Sequence, residues 1–503
     1  MQRGRRSRIV AASLVLLVLT VGFLPSLDQA GLPMDEGSLL VYPELVLRGQ
    51  IPYLDFETFY GPANLWVLSA AFSTFGANIF VERGVGLLYR VAVLLAIFGI
   101  AQRWGTILGA GVMFIAGVLL LPLKLSSYAW MGALACGLTA LWLFCNESRM
   151  RCFLAGLLAG FALLFRPDLG PAVFLGAFPI CYGMSWRSRY IFFAGVLPFG
   201  LLTLLAGPSQ VLNNLFLFPV IHSNPARRLP LFSAGGSLVA LLFLHLLACG
   251  VNLAAGFFAW RKDGSEGNGR LLTSTALFSA GLTCQATQRL DIIHFLSVGF
   301  LSISLLPVSL ATLTNGCRAG QPARSISLLG ISSVIAVVAL TAPEITISMR
   351  KTFVAAFTSP QSAVFVNRQD RTFPFRSPQV AQAAGKMFET LGRLSQPGER
   401  LFVGPADLRR TNYCDTFIYH LFPDLSPATY FLEMNPLSAN RTGSRLAPDV
   451  RSADWLVLNR EWDAWEEPNR SIETGSDEPN AIVRTHFSLV DEFPPYLLLQ
   501  RKY

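Results

Sequence analysis

Met34-Asp35-Glu36-Gly37 places two adjacent carboxylates just beyond an apolar stretch that runs from Ile9 to Leu27. Acids are costly beside lipid, so a pair retained where a membrane segment meets water points to chemistry. One such carboxylate suits a general base that takes the proton of a hydroxyl. The same pair could cap and solvate a helix start, but Arg48-Gly49-Gln50-Ile51-Pro52-Tyr53-Leu54-Asp55-Phe56-Glu57-Thr58-Phe59-Tyr60-Gly61-Pro62 then adds two more acids and two tyrosines. Four acids in one short loop are more than a cap needs. Arg166-Pro167-Asp168 and Gln288-Arg289-Leu290-Asp291-Ile292-Ile293-His294 each set an arginine two residues from an aspartate at the edge of an apolar stretch. Arginine can hold a phosphate through two parallel N–H bonds while the neighbouring acid orients it. The alternative is a pair that anchors a helix at the interface.

The elements that must position these residues are apolar. The chain has 503 residues, 52% hydrophobic and 14% charged, against roughly 25% charged in soluble domains. Residues 1–343 carry 22 Lys/Arg and 12 Asp/Glu, whereas residues 344–503 carry 18 and 19. The basic excess belongs to the apolar part and gives no reason to expect nucleic acid as a partner. The eight cysteines form no CxxC pair and read as small core residues, with neither a disulfide framework nor a zinc site. No Walker lysine, Rossmann glycine pattern or HExxH occurs.

Stretches near the ~20 residues that cross a bilayer fall at 9–27, 84–102, 105–121, 127–145, 152–167, 170–185, 190–206, 235–260, 271–287, 292–313 and 325–343. The first, preceded by four arginines, reads as a retained span with a cytoplasmic start. The stretch 62–80 is polar enough to lie flat in the interface. With it flat, ten loop Lys/Arg fall inside (Arg103, Arg149, Arg151, Arg187, Arg189, Arg261, Lys262, Arg270, Arg318, Arg324) and seven outside (Arg48, Arg83, Lys124, Arg166, Arg227, Arg228, Arg289). If it spans, the tally becomes six against eleven, so the positive-inside rule selects the flat reading. The expected product is a polytopic α-helical membrane protein of about eleven spans plus interface helices, N-terminus cytoplasmic, in the plasma (inner) membrane. The multi-span part covers 1–347, with a first outer loop at 28–83.

The loop 207–234, with Asn213, Asn214, His222, Asn224, Arg227 and Arg228, reads as a third interface helix and a turn. From about 348 to 503 the chain reads as a small extracytoplasmic α/β domain. Strands are expected at 400–403, 454–458 and 496–499, with helices near 378–395 and 411–421. Asp407, Asp415 and Glu433 read as solvated acids; Tyr413, Tyr419, Tyr430, Trp462 and Trp465 could line an acceptor groove or fill a core.

The first outer loop resembles that of the GT-C superfamily of integral-membrane glycosyltransferases, within it the protein O-mannosyltransferases and aminoarabinose transferases. The resemblance implies that Asp35 is the base, with Glu36 as its partner or as a ligand to water or a divalent metal, and that transfer inverts the anomeric centre. Tyr60 resembles the start of the family's Tyr-Pro-Pro element, with Gly61 replacing the first proline. Asp55, Tyr60, Arg166, Asp168, Arg289, Asp291 and His294 are the expected substrate-binding residues. Because the outer space offers no nucleotide sugars, the donor would be a polyprenyl-phosphate sugar presented among membrane lipids, and the acceptor an extracytoplasmic glycan, lipid or protein. A lipid-linked saccharide flippase and a non-catalytic assembly partner are the alternatives, although no internal repeat of the transporter kind occurs.

Overall fold

In the computed structural model, every one of these apolar stretches is helical. The structure describes residues 2–144, 148–205, 207–222, 228–263, 268–314, 324–355, 358, 363–411, 413–464, 473 and 475–502. Cys145, Asn224, Arg227, Cys317, Arg318 and Trp465 lie outside the described residues. The helices run α1 (Gln2–Phe23), α2 (Pro33–Leu47), α3 (Pro62–Phe75), α4 (Ile79–Ala101), α5 (Thr106–Leu120), α6 (Ala129–Phe144), α7 (Arg149–Phe165) and α8 (Gly170–Tyr182). They continue as α9 (Trp186–Leu205), α10 (Pro208–Leu212), α11 (Gly236–Asp263), α12 (Asn268–Gln288), α13 (Ile292–Thr314), α14 (Arg324–Thr341) and α15 (Pro343–Ala355). Among the described residues, five segments are long and apolar enough to cross a membrane: Arg6–Leu27, Ile79–Trp104, Thr106–Leu123, Gly236–Lys262 and Ile292–Thr314. Ala129–Phe144 and Ser325–Thr341 are shorter apolar helices. Helix α3 opens on Pro62 and stops at Gly76, whose φ of 85° ends the α conformation. Its 14 residues rise about 21 Å, short of the ~30 Å hydrocarbon layer.

By compactness the chain divides into two units, each drawn from three segments. The first comprises Met1–Ser26, Gly86–Thr203 and Pro230–Pro360. In it α12 packs against α11, α8 and α13, and α6 against α7. Arg90, buried in α4, donates to the carbonyls of Gly86, Leu123, Lys124 and Ser126, so a backbone turn receives its guanidinium. His245, buried in α11, lies 2.7 Å from Ser302 Oγ and 2.9 Å from Thr283 Oγ1, tying three helices through satisfied polar contacts.

The second unit comprises Leu27–Val85, Leu204–Leu229 and Gln361–Tyr503. The acidic loop and the polar third of the chain therefore share it. Its last segment holds the hairpin β1 (Val364–Arg368) and β2 (Arg371–Phe375), then α16 (Pro378–Leu394), β3 (Arg400–Pro405), α17 (Phe417–Leu421), β4 (Ser426–Pro427) and α18 (Leu446–Ser452). It ends with β5 (Trp455–Asn459), α19 (Glu478–His486), β6 (Phe487–Phe493) and β7 (Tyr496–Arg501). A five-stranded sheet has the order β4-β3-β5-β7-β6, with β3 parallel to β4 and β5, and β7 antiparallel to both neighbours. The three predicted strands are its inner β3, β5 and β7. The helix expected over 411–421 is confined to Phe417–Leu421. Helix α10 passes into a π-helical stretch at Asn213–His222, in the region predicted to hold an interface helix.

The structure corrects the reading of Asp415 and Glu433 as solvated acids and decides between the two readings left open for the described aromatic residues. Asp415 and Glu433 are buried, at 2% and 6% exposure, because the chain between β3 and β5 folds over the sheet and carries them inward. Tyr413, Tyr419 and Trp462 are buried with them and fill core; Tyr430 is half-buried and donates its hydroxyl to the Tyr53 carbonyl at 2.8 Å. Asp415 accepts a 2.5 Å bond from Asn459 Nδ2. Burial nevertheless pushes its carboxyl up to about 7 from an ordinary 3.8. An acid that keeps its proton longer in the folded state loses stability as pH rises from about 4 through about 7. The unfolding temperature of the chain in detergent should therefore fall between pH 5 and pH 8, with about 2–3 kcal/mol of the change removed by Asp415→Asn. An unchanged pH slope in that variant would refute this account.

Candidate functional site

The two tandem acids occupy the first turn of α2, whose amide end favours negative charge. They have separate fates. Glu36 is 1% exposed and meets Arg83, also 1% exposed, in a bidentate ion pair of 2.9 Å (Nε–Oε1) and 2.8 Å (Nη2–Oε2). Arg83 donates further to the Leu27 carbonyl. The small residues of the motif exist for this packing. A Cβ at Gly31 would stand 1.1 Å from Glu36 Oε2, and one at Gly37 would stand 2.3 Å from the Phe417 nitrogen, where α2 meets α17. Asp35 is only half-buried; its Oδ2 accepts from the Tyr413 hydroxyl at 3.3 Å. Tyr413 is itself fixed by Trp462, ring centroids 4.4 Å apart. Of the pair, Asp35 is the carboxylate open to a reactant.

The rest of the loop is a frame. Asp55 is exposed and closes its own turn, with Oδ2 accepting from the Ile51 N–H at 2.7 Å. The carbonyl of Tyr60 receives the Tyr53 hydroxyl at 2.8 Å, so it holds the loop's crossing point. Two acids that sequence reasoning counted but did not single out are more deeply placed. Glu57 is 3% exposed and accepts from Ser438 Oγ and from Asn435 Nδ2 at 3.3 Å; that same nitrogen reaches Glu433 Oε2 at 3.3 Å. Glu44 receives Arg371 Nη1 and the Nδ1 proton of His420, each at 2.6 Å. Burial pushes the Glu44 carboxyl up, but His420 and Arg371 outweigh it and hold the group below its usual range. No sequence spacing could have linked α2 to partners more than 300 residues away.

In the first unit the two arginine–aspartate pairs lie at the same end of the helices. Arg166 binds Asp168 through Nε at 2.8 Å and Nη2 at 2.5 Å, and its guanidinium lies 5.3 Å from the Trp130 ring centroid. Gln285, near the end of α12, also donates to Asp168. Burial raises the Asp168 carboxyl, and Arg166 more than reverses that. One turn beyond Gln285, Arg289 Nε reaches Asp291 Oδ2 at 3.0 Å. Asp291 caps α13, accepting the His294 N–H at 2.9 Å and lying 2.8 Å from His294 Nδ1. Burial is overcome by His294 and Arg289, which bring the Asp291 carboxyl down to about 2. Both pairs thus keep ionised carboxylates beside half-exposed arginines, with 20% and 31% exposure for Arg166 and Arg289. Among the described residues, no group of three or more His, Cys, Asp or Glu gathers to hold a metal ion.

No family model and no curated protein matches the chain. Two solved structures of ArnT from Cupriavidus metallidurans do, one bound to undecaprenyl phosphate and one in the apo state. Each aligns with 98% of this chain and 97% of its own length, with a TM-score of 0.51 and 14% sequence identity. At that identity the likeness establishes the fold. Together with five segments of spanning length, it makes the chain a multi-pass α-helical membrane protein with an ArnT-like fold and a small sheet region at its C-terminus.

Proposed function

We propose that the chain is an integral-membrane glycosyltransferase of the GT-C type that moves a sugar from a polyprenyl phosphate to an extracytoplasmic acceptor. The observation that carries this reading is the unequal placement of the tandem acids. Glu36 is consumed by Arg83, while Asp35 stays half-buried and oriented by Tyr413. A base must be reachable yet held, and Asp35 meets both conditions. The undecaprenyl phosphate of the ArnT structure belongs to the donor class expected from the sequence.

The acceptor hydroxyl oxygen attacks the anomeric carbon as the carbon–oxygen bond to the phosphate breaks. The hydroxyl proton passes to Asp35, and the bonding pair leaves with the polyprenyl phosphate, inverting the sugar. Arg166 and Arg289 are the proposed phosphate-binding residues; Asp168, Asp291 and His294 position them. Asp55 and Tyr60, which also shape the loop, remain proposed substrate-binding residues. Inner-membrane placement with a cytoplasmic N-terminus, an outer first loop, an outer C-terminal region and about eleven spans remains part of this proposal.

Purified protein given a labelled polyprenyl-phosphate sugar and a membrane-fraction acceptor should transfer the label; label that only crosses the bilayer would instead identify a flippase. Asp35→Asn should lower transfer at least 100-fold with unfolding unchanged. Glu36→Gln, which leaves Arg83 buried without its counter-charge, should cost about 3–5 kcal/mol of stability. Full activity in Asp35→Asn would remove the assigned base. Arg166→Gln and Arg289→Gln should each raise the donor KM about tenfold or more and leave the acceptor KM unchanged. A donor KM unmoved by both would return these arginines to a purely anchoring role.

A further inference from the structure

Two arginines, Arg270 at the start of α12 and Arg189 near the start of α9, meet the turn that follows α8, away from Asp168 and Gln285, and no step of the proposed reaction uses them. Arg270 stands in the first turn of α12, 8% exposed, and its Nη1 is buried with no hydrogen-bond partner. Leaving a buried guanidinium N–H unsatisfied is expensive, more so for a charged group than for a neutral one. The group reaches the turn between α8 and α9 only because residue 183 is glycine: a Cβ there would lie 2.0 Å from Nη1.

Arg189, on α9, meets the same turn. Its Nη2 donates to the Tyr182 carbonyl at 2.7 Å, its guanidinium sits 5.6 Å from the Trp186 ring centroid, and its buried Nε also has no partner. The 20-residue helix α9 begins at this turn, and the free amides of its first residues add positive potential. Ser185 Oγ and Ser188 Oγ, 3.2 Å apart, bring two hydroxyls to it. Two guanidinium groups with unused donors, a helix start and hydroxyls are what a phosphate oxyanion requires.

The surroundings select the source of that phosphate. Tyr182, Trp186 and Tyr190 are 71%, 82% and 74% exposed. Amphipathic rings gathered at one end of apolar helices mark the headgroup level of a bilayer. Along α12, Arg270 and Gln285, which donates to Asp168, are separated by a rise of about 22 Å, so the two arginine clusters sit toward opposite edges of the ~30 Å hydrocarbon layer. We propose that the α8–α9 turn, with Arg270 and Arg189, binds the headgroup phosphate of an anionic phospholipid. This assignment stands whether or not the transferase reading does.

The test is native mass spectrometry of the delipidated full-length protein in detergent, with phosphatidylglycerol or phosphatidylcholine added back. The wild type should retain phosphatidylglycerol preferentially. Arg270→Gln and Arg189→Gln should each weaken that retention about tenfold, with Arg270→Lys intermediate. Gly183→Ala keeps every charge but displaces the guanidinium, and should lose the preference while the protein stays folded by circular dichroism. Glu266→Gln, which removes the acid four residues before Arg270, should leave retention unchanged. Equal retention of the two lipids, equal retention by all variants, or full displacement of phosphatidylglycerol by millimolar inorganic phosphate would each overturn the proposal.

Discussion

The Glu36–Arg83 ion pair is the constraint around which the acidic loop is organised. A buried carboxylate and guanidinium offset their desolvation only when both are present and well aligned. Here both are almost fully enclosed and joined by two near-parallel bonds. The pair fixes the start of α2 against Arg83 of α4, and everything near it must yield space. Gly31 makes room for the carboxylate, and Gly37 lets α17 approach the helix. With Glu36 committed, its neighbour is forced to the other face of the turn, where Tyr413 meets it. A single residue step in a helix start thus separates a fully buried, ion-paired acid from a half-buried one.

Much of this arrangement was legible from residue order, for physical reasons that differ by element. Long apolar runs have few alternatives to helix in lipid, because each backbone polar group must be satisfied within its own segment. The strands at 400–403, 454–458 and 496–499 are short apolar runs bounded by polar residues, and they form the middle of the sheet. The edge pieces β4 and β6 escaped notice because an edge strand needs no apolar pattern; β6 reads Phe487-Ser488-Leu489-Val490-Asp491-Glu492-Phe493 and is mostly exposed. The tandem acids stood out by type and place, but nothing in Asp-Glu-Gly says which acid will be buried. That depends on Arg83, 47 residues on.

The errors have a common origin. Asp415 and Glu433 read as solvated because acids in a polar region usually are. Asp415 is satisfied by Asn459, 44 residues on, a partner that spacing does not reveal, and the Asn435 that serves Glu433 is shared with Glu57 of the first loop. Glu44, which the sequence reading did not single out, is satisfied by His420 and Arg371 in the same long-range way. For Asp415 and Glu44, a carboxylate from one stretch is satisfied by groups from a distant one, so this part of the polar interior is legible only once the chain is folded.

The two ends of the first unit treat arginine differently, in a way that matches the two roles proposed for them. At one end Arg166 and Arg289 are each paired with an aspartate two residues away. Such a pair fixes the guanidinium and partly cancels its charge, so a phosphate bound there is oriented but not trapped. In the proposed reaction that would suit a phosphate that departs after every turnover, since binding the product as tightly as the transition state would slow release. At the other end Arg270 and Arg189 keep buried donors unused. Full charge in an enclosed place favours a resident anion that rarely exchanges. The same side chain can therefore serve a transient substrate or a permanent lipid, and the neighbouring acid is what decides between them.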